Sequence, residues 1–556
     1  MSSKIWDYIV VGGGLSASVV SNRLLHLDPS LKILVVEAGP NANDDQDIIY
    51  HSPTSLVGGI YDWKYQTVPQ IHLGNRPVSL PCGKGLGGGT VINFAGWIRG
   101  DKTDFDLWGE TVGDTRWSYA NQLRFMKQTE NFSDTINSAE HGASGPMRTQ
   151  TVSSAHREFP LRHKVLESWE EVGVEPLPHL DANAGNPIGI GDLCENRRQG
   201  RRQIASVTYY LEGVTVLTNT LVAKVLVKKQ QGQHDATSLA YGIQLANGTE
   251  IHGKEIILSS GAIRTPQILM LSGIGPADEL ASHGIEVVLD VPEVGKNLAD
   301  HYMLPTGWRI KDPSAGYAIG SENPIFGQPP YSWGQPVDFI VTTGVQDKDG
   351  LARAIEADEG VAPDPATHPL LEQDRAFNEH IFMYAGAPDG SAVSFMLISL
   401  LPTSRGSVTL ASADISDVPL IDPNYNATEV DRFIARDGLR LQIRLAGTNA
   451  TVIGRDILDG ELGAPGFDEK LTADSTDEYI DSRVAAVLES SYHPMGTAAM
   501  GKVIDADLNV KGVANLRVVD SSVFPVAVTG HLQVAAYAMA SQAAEIIHAQ
   551  RGECKQ

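Results

Sequence analysis

Cysteine is scarce in this chain: Cys82, Cys194 and Cys554 are the only three among 556 residues. With no CxxC pair and no His/Cys cluster at metal spacing, neither a disulfide framework nor a metal site is indicated, and at most one disulfide can form. Basic charge is short as well. Lys and Arg total 43 against 67 Asp and Glu, a formal net charge of -24, which opposes phosphate backbones and anionic membranes, so neither nucleic acid nor membrane is expected as a partner. Long hydrophobic runs are missing too, none reaching the ~20 residues that cross a bilayer. The opening "MSSKIWDYIVVGGG" runs almost directly into an apolar strand pattern, with no room for a signal peptide. A cytoplasmic protein is therefore expected, with secretion the alternative had a leader been trimmed, since N-x-S/T sequons begin at Asn131, Asn247, Asn426 and Asn449.

What is present is apolar material for a large interior: 42% hydrophobic and 20% charged residues describe an ordinary globular protein, and 556 residues exceed one simple core. The first chemical signal is at the N-terminus. "DYIVV" reads as a strand, "GGGLSA" as a tight turn, and "SVVSNRLLHL" has helical spacing. Gly12, Gly14 and Ala17 fit G-x-G-x-x-G/A, the turn that brings backbone against a pyrophosphate, and Leu15 and Ser16 open the helix whose N–H groups face it. A second strand, "LKILVVEAG", ends in Glu37 and Ala38; Glu37 stands 20 residues after Ala17, where a carboxylate can bond a ribose and disfavours a 2′-phosphate.

A second glycine cluster follows. "CGKGLGGGTVINFAGWIRGDKTDFD" holds five glycines between Gly83 and Gly89, more than a helix or strand interior tolerates, so this backbone runs tightly against something. Gly83, Gly87, Gly88, Thr90 and Asn93 read as a second contact with the same dinucleotide, the Asn93 amide offering donors and an acceptor.

These segments resemble the glucose-methanol-choline oxidoreductases, which bind FAD and mostly oxidise alcohols. The run from Gly83 to Asp106 matches one family signature and "GAIRTPQILMLSGIG" (261–275) the other; "VPEVGKNLADH" (291–301) and "LRVVDSSVFPVAVTGHLQVAAYAMASQAAEII" (516–547) are also family-like, so the likeness covers nearly the whole chain. The resemblance implies an α/β FAD-binding Rossmann-like domain that is discontinuous (1–155, 200–300 and 490–556), and an α+β substrate-binding domain built on an antiparallel sheet (156–199 and 301–489). It places the Val222 backbone at the adenine, Asp520 near the ribityl and pyrophosphate, and the Leu532 N–H at the flavin pyrimidine oxygen. Where some members link the flavin covalently through a histidine, this chain has Ile92, so FAD is expected to be non-covalent, with a thioether through Cys82 the minor alternative.

Two histidines carry the expected chemistry. His493 stands in "SYHPMGT" and His531 in "VTGHLQVAAYAMA". Alcohol oxidation needs a base for the hydroxyl proton and a second group to fix the oxygen so that hydride can leave the carbinol carbon; a neutral imidazole suits the first task. By resemblance His493 is the base and His531 the second group, Tyr492 gates the site, and His301 holds structure near the domain junction. Trp97 and Phe395 join Tyr492 as pocket candidates. Pro266 is expected in a helix's first turn. The stretch 346–376 reads as an exposed acidic loop over the active-site mouth.

The expected function is oxidation of a primary alcohol, aryl or aliphatic, with oxygen or another acceptor taking the electrons. Alternatives are a lyase or cyclase of secondary metabolism that uses the same scaffold without net redox, a sugar dehydrogenase, and a protein that retains FAD without turnover.

Overall fold

The computed structural model describes residues 5–50, 56–134, 139–229 and 238–553. Cys82 and Cys194 are free thiols; Cys554 lies outside the described residues.

Two sheets organise the molecule. The first has eight strands and is parallel at its centre, where Thr215–Leu217, Ile33–Val36, Trp6–Val11 and Glu250–Leu258 lie side by side and Leu516–Val518 pairs with Glu250–Leu258. Ser238–Leu245 and Val222–Lys228 extend it antiparallel. Ile33–Val36 is buried throughout, as a parallel strand covered on both faces requires, which is why it reads as an unbroken apolar run. Helices Leu15–Leu27 and Gln533–Glu553 pack against each other. This is the Rossmann-like layer, and the turn from Val11 to Gly14 sits at the carboxyl ends of its parallel strands, where such folds bind nucleotides.

Helix Gly261–Leu271 follows the Glu250–Leu258 strand, and Pro266 lies inside it rather than in its first turn. Proline removes the N–H that would bond the Ala262 carbonyl; the Thr497 hydroxyl donates to that carbonyl instead (2.6 Å), which lets the helix continue.

The second sheet has seven strands, all antiparallel, in the order Leu458–Glu461, Tyr302–Ile310, Ala392–Ser399, Asn378–Met383, Phe339–Thr343, Gly189–Asp192, with Glu489–Ser490 paired to Tyr302–Ile310. Side chains alternate between its faces. Helix Glu429–Ala446 presses on the face that carries Leu397, a fit so close that a Cβ on Gly438 would stand 2.8 Å from the Leu397 methyls. The opposite face is left for the site.

The acidic stretch 346–376 is not simply a loop. Lys348–Glu359 is a helix capped by Asp347, whose carboxylate accepts from the Gly350 N–H (2.8 Å), and Leu351, Ala354 and Ile355 are buried against helix Glu429–Ala446. Those three stand at helical spacing with a capping Asp before them, a signal that outweighs the stretch's charge. None of its residues lines the active-site cavity.

Candidate active site

A cavity of about 620 Å³ runs between the two sheets, and most of the residues singled out in the sequence line it. At the nucleotide end stand Gly12, Gly14, Leu15 and Ser16 from the first turn, Glu37 and Ala38 from the second strand, Gly83, Gly88, Thr90 and Asn93 from the glycine cluster, and Val222 and Asp520. The two glycine turns touch: a Cβ on Gly88 would lie 2.7 Å from the Gly14 Cα. Gly87 does not line the cavity. It braces the two turns, donating to the Gly13 carbonyl (2.8 Å) and accepting from the Thr90 hydroxyl (2.6 Å). Glu37 accepts from the amides of Gly13 (2.6 Å) and Gly39 (2.7 Å); burial raises its carboxyl above the ordinary range despite those two donors. Asp520 is tied to Gly261, Thr265 and Ser522, so it too arranges the backbone around the cavity.

These residues fit an FAD. Gly89 and Gly261 both line the cavity, and no atom stands within 4 Å of where their Cβ would be, so a side chain at either place would fill space that the glycines keep open. Ile92, also lining it, has no group for a flavin linkage. Burial, then the charges of Asp300 and Asp62, push the Cys82 thiol well above its ordinary value, which opposes the thiolate that a thioether would need.

At the other end His493 and His531 face one another with ring centroids 5.2 Å apart, and both line the cavity with Tyr492 and Leu532. The turn that presents His493 is held from beneath by Asp300. Its Oδ1 accepts from the His493 N–H (2.7 Å) and its Oδ2 from the Ser490 hydroxyl (2.5 Å) and Tyr425. The Ser490 hydroxyl accepts in turn from the Tyr492 N–H (2.8 Å). Tyr492 sits at φ 64°, a left-handed conformation costly for a bulky residue, and this network is what holds it there. Its ring stacks on Phe94, centroids 6.3 Å apart.

The two histidines are driven in opposite directions. Burial, then repulsion from His301 and His531, lowers His493 well below the ordinary imidazole value, so it is neutral at neutral pH. Burial also weighs against charge on His531, but the Glu379 carboxylate overcomes it: Oε1 lies 3.0 Å from Nε2, and the net shift is upward. His531 Nδ1 lies beside Gly96, where a Cβ would stand 2.5 Å from it, and the Gly96 backbone also favours the cationic form. His531 therefore meets the cavity with Nε2 turned to Glu379 and its cationic form favoured.

Two other expectations change. Trp97 is buried in the core, donating to Glu130 (3.0 Å) and packing on Tyr537, because the bend at Ala95, φ 65°, leaves Gly96 rather than Trp97 on the cavity wall. Phe395 lies on the wrong face of its strand, among Trp308 and Phe382, while its neighbour Met396 lines the cavity. His301, expected to hold structure near the domain junction, stands with its Nδ1 3.1 Å from Nδ1 of His493. Glu379 was not foreseen, since one acid inside "FNEHIFMY" carries no local signal until the sheet brings it to His531. Asp300 and His301 stood in a family-like motif, but their chemistry becomes visible only against His493.

The substrate end is apolar. Met303 pairs with Ile398, Ile381 with Met396, and Ile340 with Ile381, so these five form one wall across three strand pairs, extended by Met383 and Val337. Among the described residues no group of three or more His, Cys, Asp or Glu is arranged to hold a metal ion, and no helix is long and apolar enough to cross a membrane.

The glycine turns, the histidine pair and the two sheets agree with a comparison to known families: the GMC oxidoreductases match the chain over residues 6–303 and again over 402–540. The chain belongs to the GMC oxidoreductases. This GMC oxidoreductase is 36% identical over 560 residues to GMC-type oxidoreductase acuG of Aspergillus aculeatus, covering 99% of this chain and 100% of the relative. It is 31% identical over 578 residues to an alcohol dehydrogenase (acceptor) of Pseudomonas putida, covering 98% and 96%. Its fold matches a solved formate oxidase of Aspergillus oryzae over 100% of both chains, at a TM-score of 0.85 and 25% identity. As a GMC oxidoreductase it is an FAD-dependent enzyme, and the cavity described above is where its residues would hold that cofactor.

Proposed function

We propose that this GMC oxidoreductase oxidises a primary alcohol with an aryl or aliphatic body to the aldehyde, with oxygen or another acceptor taking the electrons. The observation that carries the reading is the opposed pair: one neutral and one charge-favouring histidine on the same cavity wall. Titratable neighbours pushed apart in this way mark a base and its electrostatic partner.

His493 takes the hydroxyl proton on the ring nitrogen that His301 does not occupy, Nε2. His531, whose cationic form the Glu379 carboxylate favours, stabilises the negative charge that builds on the substrate oxygen. When bound, FAD supplies the acceptor for the hydride that leaves the carbinol carbon. The wall of Met303, Ile340, Ile381, Met396 and Ile398 excludes water and binds the rest of the substrate by burial alone. A sugar brings several hydroxyls to a wall that offers them no partners, each costing about 1–3 kcal/mol when buried unpaired, so this wall favours an apolar alcohol over a polyol.

The test is anaerobic reduction of the bound flavin by a panel of alcohols, followed by its absorbance. Benzylic and medium-chain alcohols should bleach it and hexoses should not. His493→Ala should retain FAD yet slow the bleaching by about 100-fold or more. No bleaching by any alcohol, or bleaching at an unchanged rate in His493→Ala, would remove this function.

A further inference from the structure

Glu37 and Asp520 bring two carboxylates to the cavity wall, and among the described residues that wall holds a single arginine or lysine, Arg264. It stands near the start of helix Gly261–Leu271, which packs on the turn from Val11 to Gly14: a Cβ on Gly12 would lie 3.0 Å from the Ser260 Cα. Arg264 is only 5% exposed, so its fixed charge is held largely out of water, where a guanidinium without a countercharge is costly.

Among the described residues no carboxylate pairs with it. Its Nε donates to the Tyr65 hydroxyl (2.8 Å), and its Nη1 to the Gln267 amide oxygen (2.8 Å) and the carbonyls of Ile415 (2.7 Å) and Asp417 (3.3 Å). All four acceptors are neutral, because the Asp417 carboxylate is turned to the Ser412 hydroxyl (2.6 Å). Arg99, Arg157, Arg375 and Arg483 are as deeply buried, and each holds a carboxylate. Arg197 and Arg202 lack one as well, but neither lines the cavity. The Arg264 guanidinium is nevertheless fixed: its carbon lies 4.5 Å from the centroid of the Trp63 ring and 5.6 Å from that of Tyr65, and the two rings stack at 5.7 Å. Both rings line the cavity beside it. Nη2 donates to nothing among the described residues, and it is not sealed in the interior as the Nε atoms of Arg99 and Arg157 are. A rigid fork with some donors spent on neutral acceptors and the Nη2 pair left over at a cavity suits an oxyanion.

We propose that Arg264 is an anion site of the cavity, its Nη2 edge taking an oxyanion of a bound molecule that supplies the missing countercharge. FAD brings such a group in its pyrophosphate, and an alcohol that carries a carboxylate is the other source. The place of Arg264 beside the Gly12 turn favours the pyrophosphate. That source is independent of the reaction proposed above, whereas the substrate source rests on it.

The test follows FAD leaving the holoenzyme on dilution, read by the fluorescence that free FAD regains, in wild type, Arg264→Gln and Arg264→Lys. Gln removes the charge and Lys keeps it. If the pyrophosphate is the anion, release should be about 10- to 100-fold faster in Arg264→Gln, the scale of a hydrogen bond to a charged group, and Arg264→Lys should stay closer to wild type. A second arm compares flavin reduction by a benzylic alcohol bearing a para-carboxylate with reduction by its para-methyl counterpart. If the substrate is the source, release is unchanged in Arg264→Gln, while a wild-type preference of about tenfold or more for the carboxylate is lost. The proposal is overturned if neither release nor preference changes, or if Arg264→Lys and Arg264→Gln act alike, since a packing role needs no charge. If Arg264→Gln does not fold, Arg264→Met, which keeps an apolar stem against Trp63, takes its place. A flavin that no alcohol bleaches would remove the proposed reaction and leave the release measurement to decide the role of Arg264.

Discussion

Replacing Glu379 with Gln removes a charge from behind His531 and almost no volume. Glu379 is fully buried, does not line the cavity, and meets His531 Nε2 through Oε1 at 3.0 Å. With Gln, the carboxylate that opposes burial is gone and only the Gly96 backbone still favours the cation, so the charged form of His531 is weakened. The size of the loss follows from the site's own length scale. A unit charge at the His493–His531 ring separation of 5.2 Å, in an effective dielectric of about 20, acts on a developing charge with about 3 kcal/mol. Because charge on the substrate oxygen is partial in the transition state, flavin reduction should slow by about 10- to 200-fold. The pH profile adds a signed readout. His531 is raised in the folded enzyme, so its cationic form persists above the ordinary imidazole value of about 6.5, and wild-type activity should fall only beyond that. In Glu379→Gln this alkaline fall should move to lower pH, while the acid limb, governed by the depressed His493, should move the opposite way, upward, as the repulsion from His531 is lost. Linkage gives stability the same sign: what the Glu379–His531 pair contributes is present below the unfolded value and is lost as pH rises through the folded one. Stopped-flow reduction across pH measures the rate, and the flavin-to-protein absorbance ratio checks that FAD is still held. A rate within twofold of wild type with an unmoved alkaline limb would refute the assignment of charge to His531.

Gly96→Ala should slow reduction by about 100-fold with FAD still bound, because the new Cβ would stand 2.5 Å from His531 Nδ1 and must displace the ring by a sizeable fraction of an ångström; stopped flow with a flavin-content control measures this. Met383→Gln keeps the volume of the substrate wall but adds an amide, so kcat/KM for an apolar alcohol should fall about tenfold while the rate at saturation changes little; steady-state kinetics on one aryl and one aliphatic alcohol separates the two parameters.

The sequence exposed those parts of the molecule whose chemistry is local. A strand, a glycine turn and a helix follow one another within residues 6–27, so the nucleotide turn could be read directly, and Glu37 closed the pattern from the next strand. The substrate wall could not be read in that way. In an antiparallel strand the side-chain period is two, and "SFMLIS" is apolar at nearly every position, so nothing local says whether Phe395 or Met396 faces the cavity. Helix Glu429–Ala446 settles it by covering the Leu397 face, and with it Phe395, which leaves Met396 and Ile398 for the substrate.

The histidines show the same division more sharply. His493 and His531 could be singled out because each lies in a recognisable motif, but their opposed protonation is set by residues far away in the chain. Glu379 is 152 positions from His531, and His301 is 192 from His493. Both arrive through the antiparallel sheet: Glu379 from the strand Asn378–Met383, and His301 from the residue just before the strand Tyr302–Ile310. The sheet that builds the apolar wall therefore also sets the charge of one histidine and contacts the ring of the other. A substitution that shifts one of these strands should change substrate fit and histidine protonation together, whereas one at the glycine turns should change FAD retention alone.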